Sequence, residues 1–167
     1  WIYSKLSFVY GIDYSKDNIE NKLDGACTRY LKSHVKNKHT PKAIFLHGDS
    51  SKTIYNGDAF KSDKYKTIND ALFGRGSQDE KNIGKIPFQN YGVGKEGFNI
   101  CSCQFALHYF WEKPSTLKNF IENVTVSTKM DGYFIGTCYD GEKIFDMFNE
   151  KEENDEISVY DETTKLW

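Results

Sequence analysis

The stretch LSFVYGIDYSKDNIENKLDGACTRYL, Leu6 to Leu31, reads in one pass as a strand, an acidic turn and a helix. Leu6 to Ile12 is apolar and rich in strand formers, and it ends at Asp13. Ser15 is suited to cap a helix that begins just after it. Ile19, Leu23, Ala26, Cys27, Tyr30 and Leu31 then recur at steps of three and four, giving a helix with one apolar face.

The same alternation continues outward from this stretch. Ala43 to His47, bounded by Pro41 and Gly48, reads as a buried strand ending at Asp49-Ser50-Ser51. Phe98 to Gln104 (FNICSCQ) is a third apolar strand. Pro114 to Thr128 is expected to be helical, with Leu117, Phe120, Ile121 and Val124 in phase. Asp131-Gly132 marks a turn before a strand from Tyr133 to Thr137. Gly141 to Glu150 reads as a helix carrying Ile144, Phe145 and Phe148. The acidic run Lys151 to Glu156 is a solvated linker, Ile157 to Asp161 alternates like an edge strand, and Lys165 to Trp167 starts another. Tyr55 to Gly97 is the least regular part: Asp58 to Phe73 is expected as one helix and Arg75 to Gly97 as irregular loop, together a loop-rich insertion of about residues 55–97. Alternating strands and helices imply an α/β fold, a mostly parallel sheet with helices on both faces, in one domain over residues 1–167.

The chain has 167 residues, 28% charged and 38% hydrophobic, with a formal net charge of −2. That composition is globular and large enough for a sizeable core. A near-neutral balance excludes a polycation, so any nucleic-acid contact must be local. Basic residues are nearly all lysine; Arg29 and Arg75 are the only arginines. Cys27, Cys101, Cys103 and Cys138 match no zinc spacing and read as small buried residues of a reduced compartment. No apolar run is long enough to span a membrane. The chain opens on Trp1 and closes on Trp167, and reads as an excerpt.

In parallel sheets ligands bind at the carboxyl ends of strands. Asp13 occupies such an end. An acid there takes both ribose hydroxyls of a nucleoside, about 20 residues after a glycine-rich turn, which is expected upstream of Trp1. A strand followed by Asp-x-Ser is equally an ordinary helix cap. Asp49, with Ser50 and Ser51, repeats the arrangement on the next strand, where it would accept from an exocyclic amine or simply form an Asx turn. Two acids at neighbouring strand ends together suggest an adenosine site. Gln104 to Tyr109 (QFALHY) offers an amide, two aromatic rings and an imidazole, a set able to read a base edge and stack on its face. His108 alone reads as a core histidine; its place in the cluster is what favours recognition. Lys32, Lys36, Lys38 and Lys42 form either an RNA-phosphate contact or a solvated basic loop.

Phe98 to Glu112 (FNICSCQFALHYFWE) and Asp131 to Asp140 (DGYFIGTCYD) resemble signature segments of the messenger RNA cap guanine-N7 methyltransferases. Phe8 to Asp24 and Phe45 to Ser51 (FLHGDSS) resemble that family in order and spacing. The resemblance spans most of the chain outside about Tyr55 to Gly97 and points towards the methyltransferase portion of large DNA virus capping enzymes. It implies a Rossmann-like class I fold that uses S-adenosyl-L-methionine, truncated here at both ends. It implies that Asp13 binds the donor ribose, that Asp49 and Ser50 bracket adenine, and that Gln104 lies near the methionine end. His108 and Tyr109 then meet the cap guanine, with Phe105 beneath the pocket and Tyr139 as a wall where many members carry proline. The implied reaction, methyl transfer to guanine N7, requires no catalytic acid, base, nucleophile or metal. The implied partners are the capped mRNA 5′ end and other capping domains or an activating subunit, with no membrane. The implied location is intracellular: host cytoplasm, in a virus factory, for a viral chain, and the nucleus for a cellular one. The glycine-rich donor loop and the later segments that close over guanine are absent from these residues, so the chain by itself is expected to be inactive and aggregation-prone. A methyltransferase for another substrate and a non-catalytic scaffold of a capping complex are the rival readings.

Overall fold

A computed structural model describes residues 4–37, 39–149, 151–152 and 155–156. In chain order it contains β1 (Phe8–Asp13), α1 (Lys16–Glu20), α2 (Ala26–Lys36) and β2 (Lys42–His47). Next come α3 (Asp63–Leu72), α4 (Glu80–Ile83), α5 (Lys85–Gln89) and β3 (Phe98–Gln104). A 3-10 helix (Leu107–Glu112), α6 (Pro114–Ser127), β4 (Thr128–Thr137) and α7 (Gly141–Phe148) complete it. The strands expected at Ile157 to Asp161 and Lys165 to Trp167 lie outside the described residues.

The strands pair in parallel. Phe8 lies opposite Lys42 and Asp13 opposite His47 in β1–β2; Gln104 lies opposite Thr137 in β3–β4. Parallel neighbours need a crossover, and helices supply it in both pairs. Among the described residues the four strands form two hydrogen-bonded couples rather than one continuous ladder. Between the couples, Tyr10 of β1 and Phe98 of β3 approach with ring centroids 6.2 Å apart.

The period-two alternation of β1 and β2 separates two faces. Phe8, Tyr10, Ile12, Ile44 and Leu46 pack towards Phe60, Ile68 and Leu72. On the opposite face the Phe45 ring lies over Gly11, where a Cβ would come within 2.7 Å of it, and meets Tyr30 of α2 edge-on at 6.1 Å. Helices therefore cover both faces of this pair. Burial of each large apolar side chain contributes about 1.5–3 kcal/mol.

Four expectations are corrected. The single helix after Ser15 is two. Ser15 does cap α1, accepting from Asn18 N–H, but α1 ends at Asn21, whose side-chain oxygen accepts from Leu23 N–H at 2.8 Å and turns the chain. Leu23 and Leu31, read as part of an apolar face, are 79% and 60% exposed. Residues 58–73 are not one helix either: α3 starts only at Asp63, because Thr53 Oγ1 donates to Asp58 and Gly57 at φ 85° turns the preceding segment. Residues 75–97, read as irregular loop, hold α4 and α5 between glycines at positive φ. Ala59, Phe60, Ile68, Ala71, Leu72, Phe73 and Ile83 are buried, so residues 55–97 supply much of the core. Finally, the Asp131-Gly132 turn lies inside β4. Between the pairs Phe98–Thr128 and Ile100–Tyr133, β3 advances two residues while β4 advances five, and Asp131 takes φ 61° in the resulting bulge.

Cys27, Cys101 and Cys103 are half-buried rather than fully buried and Cys138 is exposed; all are free. Burial pushes the thiols of Cys27, Cys101 and Cys103 up, which disfavours the thiolate.

Candidate functional site

The two strand-end acids emerge beside each other. Asp13 pairs with His47, and Gly48 N–H donates to Asp13 C=O at 3.0 Å. The Asp13 carboxylate is half-buried. Its Oδ1 accepts from Ser15 N–H at 2.8 Å, and the Asn18 side-chain amide lies 3.3 Å from both oxygens. Helix capping and ligand binding are compatible here, because a carboxylate has four lone-pair sites and Oδ2 receives only the long amide contact. The cap fixes the orientation of the group that would take two hydroxyls.

Asp49 forms an Asx turn. Its Oδ1 accepts from Ser51 N–H at 3.0 Å and from Ser51 Oγ at 2.6 Å, while Lys52 Nζ lies 3.7 Å from Oδ2. Ser50 is half-buried beside it. The loop is tied to α6 through Asn119 Nδ2, which donates to Ser51 C=O at 2.9 Å. Since α6 is reached from the carboxyl end of β3, the turns after β2 and β3 lie at one edge of the fold.

Gln104 closes β3. Its Nε2 donates to Ser102 Oγ at 2.8 Å and its Oε1 accepts from Thr137 Oγ1 at 2.9 Å. With the side-chain amide held by neighbours, a donor contact would fall to the main chain. Phe105 takes φ 52°, a left-handed conformation costly for a side-chain-bearing residue. Thr137 secures it: Phe105 N–H donates to Thr137 C=O at 2.9 Å and to Oγ1 at 3.1 Å.

The strained turn delivers a nest of rings. His108 lies 4.2 Å from Tyr109 and 4.8 Å from Tyr139 by centroid, and Phe105 lies 6.5 Å from Tyr139. Phe105, Tyr109 and Tyr139 are 62%, 69% and 59% exposed, so the nest opens to solvent. His108 Nδ1 is buried and meets no hydrogen-bond partner among the described residues. Behind the nest, Phe110 stacks on Phe120 of α6 at 4.2 Å, fixing the 3-10 helix. Phe110 is thus core, whereas Tyr109 and Trp111 are exposed.

An open polar cleft of about 460 Å³ also reaches Asp13, between β1 and the helices α1 and α2, with Asp17, Asp24 and Arg29 on its walls. It does not include Asp49, Ser50 or Gln104. Of the lysines, Lys32 Nζ donates to Leu23 C=O at 2.8 Å and Lys42 contacts Gln89. Lys42 opens β2, about 17 Å of strand away from His47. That separation favours the solvated basic loop; Lys38 lies outside the described residues.

Residues 1–162 match the mRNA (guanine-N(7))-methyltransferase domain. The chain belongs to the mRNA cap guanine-N7 methyltransferase family. It is 31% identical over 105 residues to mRNA cap guanine-N(7) methyltransferase 1 of Arabidopsis thaliana, covering 62% of this chain and 27% of that protein. Over 50 residues it is 40% identical to the mRNA cap guanine-N(7) methyltransferase of Caenorhabditis briggsae, 30% of this chain and 13% of that one. Over 154 residues it is 24% identical to a probable mRNA-capping enzyme of Acanthamoeba polyphaga mimivirus, 91% of this chain and 12% of that one. The chain thus spans about a quarter or less of these relatives. No solved structure matches.

The sequence alone did not mark the residues that hold these candidate side chains and loops. Asn18 steadies Asp13, Thr137 secures Gln104 and Phe105, and Asn119 holds the Asp49 loop. Thr137 was legible as a strand end; Asn119 gave no signal, since its partner is a main-chain group remote in sequence. No metal-binding cluster and no helix long and apolar enough to cross a membrane occur among the described residues.

Proposed function

We propose that this chain carries the donor and cap pockets of an mRNA (guanine-N7) methyltransferase, which transfers a methyl group from S-adenosyl-L-methionine to N7 of the 5′ guanosine cap. The observation that carries this reading is an open nest of Phe105, Tyr109 and Tyr139 rings around His108, at the same edge as two oriented strand-end acids. Exposed aromatic faces beside an imidazole suit stacking and reading of a base.

S-adenosyl-L-methionine supplies an electrophilic methyl on a sulfonium. Guanine N7 carries a lone pair and no proton, so the N–C bond forms as the C–S bond breaks and no general base is required. The work of the protein is positioning, for which effective molarity is the relevant gain. Asp13 receives the ribose hydroxyls, and Asp49 with Ser50 receives the adenine edge. The Gln104 main chain lies next to the methionine end. His108 and Tyr109 read and stack the guanine, Tyr139 walls it and Phe105 floors it. The partner is a capped mRNA 5′ end, and an intracellular location suits it.

Equilibrium binding of S-adenosylhomocysteine and of a cap dinucleotide to the full-length protein, in which this chain is extended at both ends, tests the two pockets separately. Asp13→Ala is expected to weaken S-adenosylhomocysteine about tenfold or more, through two lost charge-assisted bonds, and to leave the cap dinucleotide unaffected. Binding of neither ligand would replace this reading with a scaffold role; donor binding without cap binding would point to another methyl acceptor.

A further inference from the structure

Buried asparagines converge on the Asp49 loop. Asn123 of α6 is only 5% exposed. Its Nδ2 donates to Ser50 C=O at 3.0 Å and to Lys52 C=O at 2.8 Å, and its Oδ1 accepts from Ile54 N–H at 2.8 Å. One turn earlier on α6, Asn119 Nδ2 donates to Ser51 C=O at 2.9 Å. From the other side Asn69 of α3, fully buried, donates to Ile54 C=O at 2.9 Å and accepts from Tyr10 Oη at 3.0 Å.

Three side chains from two helices therefore take the carbonyls of Ser50, Ser51, Lys52 and Ile54. The Asp49 carbonyl is taken by Lys52 N–H. Among the described residues the Ser50 N–H has no hydrogen-bond partner. Ordinary loop stability does not require such complete use of carbonyls, because exposed ones are satisfied by water. Here the result is a loop whose carbonyls are spent internally, while the Ser50 N–H and Oδ2 of Asp49, which has only Lys52 Nζ 3.7 Å away, make no hydrogen bond among the described residues. A purine with an exocyclic amine beside a ring nitrogen matches that pair.

We propose that Asn123, supported by Asn119 and Asn69, is a positioning residue for methyl-donor binding: it fixes the Asp49–Ser50 segment in the conformation that reads adenine. The inference rests on the proposed function, since it takes this loop as the adenine seat. Because α6 continues directly from the 3-10 helix bearing His108 and Tyr109, the clamp also ties the donor loop to the element that carries the cap nest.

The test is steady-state kinetics with the full-length protein, in which this chain is extended at both ends, varying S-adenosyl-L-methionine and capped RNA independently. Asn123→Ala is expected to raise the donor KM about tenfold, the effect of unpairing buried main-chain groups, with the cap KM changed by less than about twofold. Asn123→Asp keeps the acceptor for Ile54 but sets a carboxylate against two carbonyls, so its donor KM should rise at least as far. Asn119→Ala, at a half-buried site where water can replace the bond, is the mild variant; about threefold in donor KM with unaltered folding is expected. Donor and cap KM rising together in these variants, or a lowered melting temperature with donor KM unchanged, would overturn the clamp. If the unaltered full-length protein does not bind S-adenosylhomocysteine, the proposed function fails and the clamp falls with it. If it does bind and the donor KM ignores Asn119 and Asn123, the clamp alone fails.

Discussion

His108→Phe separates recognition from packing in one substitution. His108 Nδ1 is buried without a partner among the described residues, and such an atom costs about 1–3 kcal/mol. Phenylalanine keeps a ring against Tyr109 and Tyr139 and removes that cost, so the variant should be more stable by about 1 kcal/mol, or about 2–4 °C in melting temperature for a chain of this size. In the same protein, loss of a hydrogen bond to guanine should lower kcat/KM for capped RNA about tenfold to a hundredfold, with the donor KM unaltered. His108→Ala is the contrast: it also removes two ring contacts worth about 0.5–1.5 kcal/mol each, so it should lose both stability and cap use. Differential scanning calorimetry and cap-dependent kinetics on the three proteins provide both readouts. A His108→Phe protein that is less stable and uses cap normally would refute the reasoning and make His108 a structural histidine.

Thr137→Val removes the hydroxyl that joins Gln104 Oε1 to Phe105 N–H while keeping side-chain shape. Methyl transfer should fall about tenfold and Thr137→Ser should restore it, with stability changed by about 1 kcal/mol; equal transfer by the valine variant would remove Thr137 from the site. Burial, and secondarily Asp70, hold the Tyr10 phenol well above its ordinary value. The unfolded phenol loses its proton first, near about pH 10, so wild-type stability is fully present below that pH and falls as pH rises beyond it. Tyr10→Phe should cost about 1–3 kcal/mol at pH 7, by leaving Asn69 Oδ1 unpaired, and should flatten the alkaline decline. Urea unfolding at pH 8 and pH 10.5 checks this; parallel curves for the two proteins would contradict it.

Much of the fold was legible in sequence because periodicity reports burial directly. Phe98 to Gln104 was read to the residue, and Pro114 to Thr128 to within one, since an unbroken run of strand formers and a clean step of three and four leave few alternatives. The helix after Ser15 was misread for a physical reason: Asn21 and Gly25 divide a continuous apolar pattern, and pattern alone does not weigh a side-chain turn. Residues 55–97 were obscured by glycines that punctuate short helices, so the buried Phe60, Leu72 and Ile83 looked like scattered loop residues. Strand order was not legible, because alternation fixes faces and not neighbours. At the site, Asp13, Asp49, Gln104 and His108 fell where strands end. Thr137, Asn119 and Asn123 act on groups far along the chain, and that becomes visible only in three dimensions.

Methyl transfer from labelled S-adenosyl-L-methionine to GpppA-ended RNA by the full-length protein, in which this chain is extended at both ends, with nuclease digestion to locate the label, is the most direct test. Label at guanine N7, lost with Asp13→Ala through the donor and with His108→Phe through the cap, is the predicted result. Label at any other position, or donor binding with no transfer to capped RNA, would contradict it.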